Sequence, residues 1–137
     1  MSATGDGFTL IEMLVVLAIM GLIAGLGFPR LERAIATQDL RRTGSEVAAA
    51  LRAARARALR TGSPAVFVAG PGSRFWVGGE PAQTAPVPVT VEAWPRGRIT
   101  FFGDGSSSGG TATVAGPARR LDLVVEPATG LFRVVGR

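Results

Sequence analysis

The chain has 137 residues and a formal net charge of +5, and all 15 of its basic side chains are arginines. It contains no cysteine and no histidine, which excludes disulfides and thiolate metal sites and argues against zinc sites and histidine-based triads. The remaining Asp, Glu, Ser, Thr and Arg side chains form no constellation that indicates catalysis. We therefore predict a single anchored domain that is not an enzyme and holds no cofactor or metal.

An apolar run extends from Phe8 to Phe28 and contains a single charged residue, Glu12. As an α-helix it would cross about 30 Å of hydrocarbon, the thickness of a bilayer core. A cleaved secretory signal peptide is the alternative, but no basic segment precedes the run and no A-x-A-like site follows it. Because a carboxylate inside a membrane helix is costly, its presence indicates a function. We therefore predict a membrane helix with a functional carboxylate.

The combination of Gly7, Phe8 and Glu12 with this run resembles the N-terminus of the type IV pilin and pseudopilin superfamily. The resemblance implies that a prepilin peptidase cleaves between Gly7 and Phe8, removes residues 1–7 as a leader and methylates the new amine of Phe8. Residues 8–29 then remain as a transmembrane and filament-core helix in the bacterial inner membrane. The leader lacks the basic residues common in this superfamily, so the predicted orientation rests on the resemblance and not on charge.

Glu12 has two interpretations. The resemblance implies that its carboxylate pairs with the mature amine of a neighbouring subunit during filament assembly. Such pairing would offset part of the desolvation cost of both charges and fix the register between helices. Alternatively, a carboxylate near a helix end simply reaches toward the lipid headgroups. The surrounding motif favours the assembly role.

Pro29 follows the apolar run, at the position where pilins of this superfamily often have a proline that kinks a long helix. Helix termination is the alternative, but residues 30–60 contain no other proline and a single glycine. We therefore predict that residues 30–62 continue as an amphipathic, periplasmic half of the helix. Its apolar face is expected to lie closely on a sheet and consists of Leu40, Gly44, Val47, Leu51, Ala54 and Ala58.

Six arginines lie on this half of the helix: Arg41, Arg42, Arg52, Arg55, Arg57 and Arg60. A nucleic-acid site is one interpretation of such a cluster. However, the arginines are scattered around the helix, and no aromatic side chains lie between them to stack on bases. We therefore favour a solvated, partly ion-paired face.

The pattern changes after Gly62, which is expected to cap the helix, and residues 63–137 are predicted to form a β-rich globular domain. Short strands separated by close turns predict an antiparallel sheet with the long helix on one face, an α+β fold. Residues 81–88 hold three prolines and are predicted to form a surface loop. The candidate strands are Ala65–Ala69, Arg74–Val77, Val87–Glu92, Arg98–Phe102, Thr111–Val114, Leu121–Val125 and Leu131–Val135.

The glycine- and serine-rich segment 103–110 could bind calcium or phosphate, or it could be a plain connecting loop. It contains a single carboxylate, Asp104, and neither the acidic spacing of a calcium loop nor a Walker lysine, which favours the connecting loop. Together with Phe101 and Phe102 before it, and with Thr129 and Gly130 before the last strand, this segment resembles the GspH/FimT subgroup of the superfamily.

The resemblance implies a structural function: a minor pseudopilin of the type II secretion pseudopilus, which exports folded proteins across the outer membrane. The implied partners are the prepilin peptidase, the other major and minor pseudopilins, the inner-membrane assembly platform and secreted cargo. The first alternative is a FimT-like minor pilin that binds DNA in natural transformation. Arg133 and Arg137 match the C-terminal arginine motif of some such proteins only in part. The second alternative is a single-pass membrane protein outside any filament.

Overall fold

The computed structural model describes residues 8–136, and for residues 26–33 it describes the backbone alone. Within these residues, one long helix, α1 (Leu10–Thr61), precedes eight strands. Contacts divide the chain between Ile35 and Ala36 into a first unit that holds the start of α1 and a second unit that holds the rest of α1 and the strands. The predicted α+β class with a long N-terminal helix is confirmed.

The strands of the second unit form two antiparallel sheets of four strands each, with the orders β3-β2-β1-β5 and β4-β6-β7-β8. A 3₁₀ turn, Pro71–Ser73, joins β1 to β2. The strands are β1 (Ala65–Gly70), β2 (Arg74–Val77), β3 (Gln83–Thr84), β4 (Thr90–Trp94), β5 (Arg98–Phe101), β6 (Gly110–Ala115), β7 (Arg120–Val125) and β8 (Phe132–Gly136).

All seven predicted strands are present. The sequence pattern predicted one antiparallel sheet, whereas the strands form two. The largest displacement is in β4, which was predicted from Val87 but begins at Thr90. Pro88 has no N–H to donate to a ladder, so pairing starts only after it. The predicted loop at 81–88 contains the short strand β3, which pairs with β2.

The predicted apolar face of α1 is buried along its whole length, and the helix ends at Thr61 before Gly62, as predicted. Val47, Leu51 and Ala54 are at most 1% exposed. They belong to one core cluster with large side chains from both sheets: Phe67, Phe75, Ile99, Phe101, Val114 and Leu123. Gly44 allows a close approach, because a Cβ there would lie 2.9 Å from Leu121 Cδ1.

One polar group in this core has no partner. The side chain of Thr43 is fully buried on α1, and within the described residues its hydroxyl makes no hydrogen bond. A buried hydroxyl that loses its water without gaining a partner lowers the stability of the folded state. Thr113 offers the contrasting case, since its hydroxyl donates to Asp122 Oδ1 at 2.8 Å.

We expect Thr43→Val to raise the free energy of unfolding by about 1 kcal/mol, because valine keeps the shape of threonine and removes the unpaired hydroxyl. Thr113→Val is the matched control and should lower the free energy by about 1 kcal/mol, because it removes a donor from a partly buried carboxylate. Urea unfolding of the full chain in detergent, followed by tryptophan fluorescence, measures both. A loss of stability in Thr43→Val would contradict the assignment of an unsatisfied hydroxyl.

Candidate functional site

The first candidate site is the N-terminal segment that begins at Phe8. Phe8 is 73% exposed, and the large apolar side chains from Leu10 to Ile23 are between 43% and 80% exposed. Contiguous apolar exposure of this kind marks a surface that contacts another protein or a membrane. Gly7, on the other side of the predicted cleavage point, lies outside the described residues.

Thr9 and Glu12 together form the N-terminal end of α1. The Thr9 carbonyl oxygen accepts hydrogen bonds from the N–H groups of Glu12 and Met13, at 3.1 and 3.2 Å. The Thr9 hydroxyl accepts a further bond from the Glu12 N–H at 3.3 Å. Thr9 is therefore the N-cap, and Glu12 occupies the third helical position, which is the sequence spacing of a capping box. Sequence reasoning missed this local role, although the Thr-x-x-Glu spacing carries its signal.

The Glu12 side chain is exposed, and its position in the first turn adds a favourable interaction with the positive end of the helix dipole. The backbone N–H of Glu12 completes the cap, while the carboxylate is exposed to solvent.

The second candidate feature is Pro29, which was predicted to kink the helix. Residue 29 lies within the bounds of α1, but its side chain is outside what the structure describes, so the kink stays a prediction. The sequence also predicts a transmembrane helix over residues 8–29. Within residues 8–136, the structure contains no helix that combines the length and the hydropathy required of a membrane span.

Different arginines of the cluster on α1 contact different partners. Arg42 Nε lies 3.0 Å from Glu46 Oε1, an exposed ion pair one turn along the helix. The Arg52 guanidinium lies over the Phe132 ring, 5.4 Å from its centroid, in a cation–π contact. The ion-paired face predicted from the sequence is thus present at Arg42, whereas the contact of Arg52 depends on tertiary structure.

Two arginines near the end of α1 bind backbone carbonyls of the strand domain. Arg55 Nε donates to the Thr129 carbonyl at 3.1 Å, and Arg57 Nη1 donates to the Gly78 carbonyl at 2.8 Å. Hydrogen bonds from charged donors are stronger than those between neutral groups. These side chains therefore fasten the helix to two turns, a role that their spacing in the sequence does not reveal.

The polar groups of the serine-rich loop after β5 bond both within the loop and to neighbouring segments, since the Ser107 hydroxyl donates to the Glu126 carbonyl at 3.0 Å. Asp104 Oδ1 accepts hydrogen bonds from the Ser106 hydroxyl at 2.6 Å and the Ser106 N–H at 2.9 Å. These bonds, the hydroxyl first, hold the pKa of Asp104 below its usual value. Among residues 8–136, no group of three or more acidic side chains is arranged to hold a metal ion. The geometry is that of a connecting loop.

Glycines of this loop and of the turn before β8 permit close backbone packing. A Cβ at Gly103 would lie 2.7 Å from the Gly62 carbonyl carbon, just after the end of α1. A Cβ at Gly130 would lie 2.5 Å from the Gly105 carbonyl oxygen, and Gly130 also has a positive φ of 62°. The glycines that carry the GspH/FimT resemblance thus bring the loop, the last turn and the helix end together.

We expect Arg57→Ala to lower the free energy of unfolding by about 1 kcal/mol, because the Gly78 carbonyl loses a charged donor. Arg60→Ala is the matched control. Arg60 is exposed and makes no hydrogen bond or ion pair within the described part of the chain, so its removal should change stability by less than about 0.5 kcal/mol. Equal effects of the two substitutions in urea unfolding would show that the bond to Gly78 contributes nothing.

Gly130→Ala should destabilise the chain by about 3 kcal/mol, because it combines a strained φ with a backbone clash. Gly72 has a similar φ of 69°, but nothing lies within 4 Å of a Cβ at that position. Gly72→Ala should therefore cost only about 1 kcal/mol, the strain alone. Thermal unfolding followed by circular dichroism compares the two, and equal losses would contradict the packing role of Gly130.

Comparisons with known proteins match both parts of the chain. Residues 6–28 match the family model of the prokaryotic N-terminal methylation motif, and residues 43–129 match that of the type II transport protein GspH. The chain is also similar to the type II secretion system protein H of Xanthomonas campestris pv. campestris. The two are 33% identical over an aligned length of 135, and the alignment covers 89% of this chain and 73% of that protein. No solved structure matches. The chain belongs to the GspH family of type II transport proteins, the pseudopilin subgroup with an N-terminal methylation motif.

Proposed function

We propose that this chain is a minor pseudopilin, a structural subunit of the type II secretion pseudopilus through which folded proteins are exported across the outer membrane. The observation that carries the proposal is the presence, on one helix, of an exposed apolar segment and a buried face. The exposed segment lies within the methylation motif, and the buried face lies within the GspH match from Gly44 onward. The matched relative is a type II secretion protein, so the FimT-like DNA-binding alternative is not favoured.

In this proposal, a prepilin peptidase removes residues 1–7 and methylates Phe8. Residues 8–29 anchor the chain in the inner membrane as a single span and later pack in the filament core, with a kink at Pro29. Residues 30–62 and the strand domain, 63–137, lie in the periplasm. The chain catalyses nothing itself, and its partners are the other pseudopilins, the inner-membrane assembly platform and secreted cargo.

The proposed role of Glu12 is to pair its carboxylate with the mature amine of a neighbouring subunit. Its exposed side chain and its place near the start of α1 support this role. A buried carboxylate beside a cationic amine offsets part of the desolvation cost of both groups, and the pair would fix the register between helices.

The test is exoprotein activity in the supernatant of a strain that lacks this gene, complemented with wild type or Glu12→Gln. Glutamine keeps the size of glutamate and suits the same capping position, but it carries no charge. We expect wild type to restore secretion and Glu12→Gln to lower it at least about tenfold, since the charge pair is lost. Mass spectrometry should show both mature chains without residues 1–7 and with one methyl group on Phe8.

Thr9→Ala serves as the control for the cap, because it removes the hydroxyl that accepts from Glu12 N–H and leaves the carboxylate. It should retain most of the secretion activity. Normal secretion with Glu12→Gln would exclude the charge pair, and normal secretion without the gene would exclude a type II function for this chain.

A further inference from the structure

The two sheets have four edge strands, and three of these edges are short or covered. β3 has two residues, and β4 contacts β1, β5 and the 3₁₀ turn. The outer side of β5 is covered by its own loop, because the Thr100 N–H donates to Ser108 Oγ at 3.0 Å and the Ser108 N–H donates to the Thr100 carbonyl at 2.8 Å. β8 pairs with β7, and no strand within residues 8–136 pairs with its other side.

The backbone of β8 has hydrogen-bonding groups that point outward. The Glu126 N–H donates to the Leu131 carbonyl at 2.8 Å, in the same register as the β7–β8 ladder. Bonded and non-bonded pairs alternate along an antiparallel ladder. The N–H and carbonyl groups of Phe132 and Val134 therefore face away from β7. Unpaired edges of this kind are templates for a strand from another chain.

The side chains along β8 are apolar and basic. Val134 lies opposite the buried Leu123 and shares its face of the sheet, yet Val134 is 57% exposed. Arg52 lies over Phe132 on this face, whereas Arg133 is exposed on the opposite face. Neither arginine has a carboxylate within ion-pair distance among the residues that the structure describes. The open edge is thus flanked by a positive charge on each side of the sheet.

We propose that the open edge of β8 binds an extended, acidic segment of another protein chain. The segment would add to the second sheet as a further strand, held by the outward backbone groups of Phe132 and Val134. Successive side chains of a strand point to opposite faces, so two adjacent acidic residues would place one carboxylate beside Arg52 and one beside Arg133.

A second copy of this chain is the less suitable occupant. If two antiparallel β8 strands paired about Val134, Arg133 of each copy would lie diagonally across from Arg133 of the other, and like charges on neighbouring positions of a strand pair are destabilising. An acidic segment removes this repulsion and supplies the carboxylates that both arginines lack. The proposal goes beyond the function in secretion, and its test reads out peptide binding and not export.

The test uses the purified full chain in a zwitterionic detergent and two fluorescein-labelled peptides. The acidic probe is Val-Thr-Val-Glu-Glu-Val-Thr-Val, and the matched control replaces both glutamates by lysine. Fluorescence anisotropy at low salt should show about tenfold tighter binding of the acidic probe, since two opposite-charge contacts replace two like-charge contacts. Arg133→Glu should reduce the preference for the acidic probe from about tenfold to about threefold or less.

Val134→Pro separates backbone pairing from charge. Proline removes an N–H that points outward, which an edge strand tolerates, so the chain should keep its circular dichroism spectrum and lose about tenfold in affinity for the acidic probe. Val134→Thr keeps the N–H and should bind within about twofold of wild type. Equal binding of both probes by wild type, or unchanged binding by a folded Val134→Pro, would overturn the proposal.

Self-pairing has its own test, because the natural chain contains no cysteine. Two antiparallel β8 strands centred on Val134 would bring that residue next to its own copy, close enough for a disulfide. Mild oxidation of a Val134→Cys variant should leave the chain monomeric on a non-reducing gel. Efficient formation of a disulfide dimer would show that the edge accepts a second copy, and it would overturn the acidic partner.

Discussion

Burial of the small-residue face of α1 is the interaction on which the rest of the strand domain depends. Each sheet has an apolar inner face, and an uncovered face of that kind would be unstable in water. Val47, Leu51, Ala54 and Ala58 fill the space beside both sheets and join their side chains in a single core cluster. Leu51 and Val47 are among the larger fully buried side chains, whereas the missing side chain at Gly44 lets Leu121 Cδ1 approach the helix backbone.

The last turns of the same helix determine where the loops lie. Arg55 and Arg57 donate to carbonyls of two different turns, and the backbone after the helix end packs against Gly103. Between these anchors, polar groups of the serine-rich loop bond to one another and to neighbouring segments, as Ser106 does to Asp104 and Ser107 does to the Glu126 carbonyl. Gly103 and Gly130, which belong to the segments that resemble GspH, lie where the helix end, the loop and the last turn pack together.

The proposed functions of this chain depend on two exposed surfaces. The first unit exposes apolar side chains from Phe8 onward and a carboxylate at Glu12, and the second unit exposes the β8 edge between Arg52 and Arg133. Both kinds of surface are suited to contacts between chains. A subunit of a filament needs such surfaces in order to contact its neighbours.

The sequence alone determined the α+β class, the buried face of α1, the seven principal strands and the motif at Gly7, Phe8 and Glu12, because each depends on local periodicity or on adjacent residues. The spacing from Thr9 to Glu12 is also a local signal, and it is sufficient to indicate the helix cap. Only the tertiary structure decided how the strands divide into two sheets, that Arg55 and Arg57 reach distant carbonyls, and that β8 is the open edge. These features join residues far apart in the chain, and no local pattern specifies which distant partners will meet.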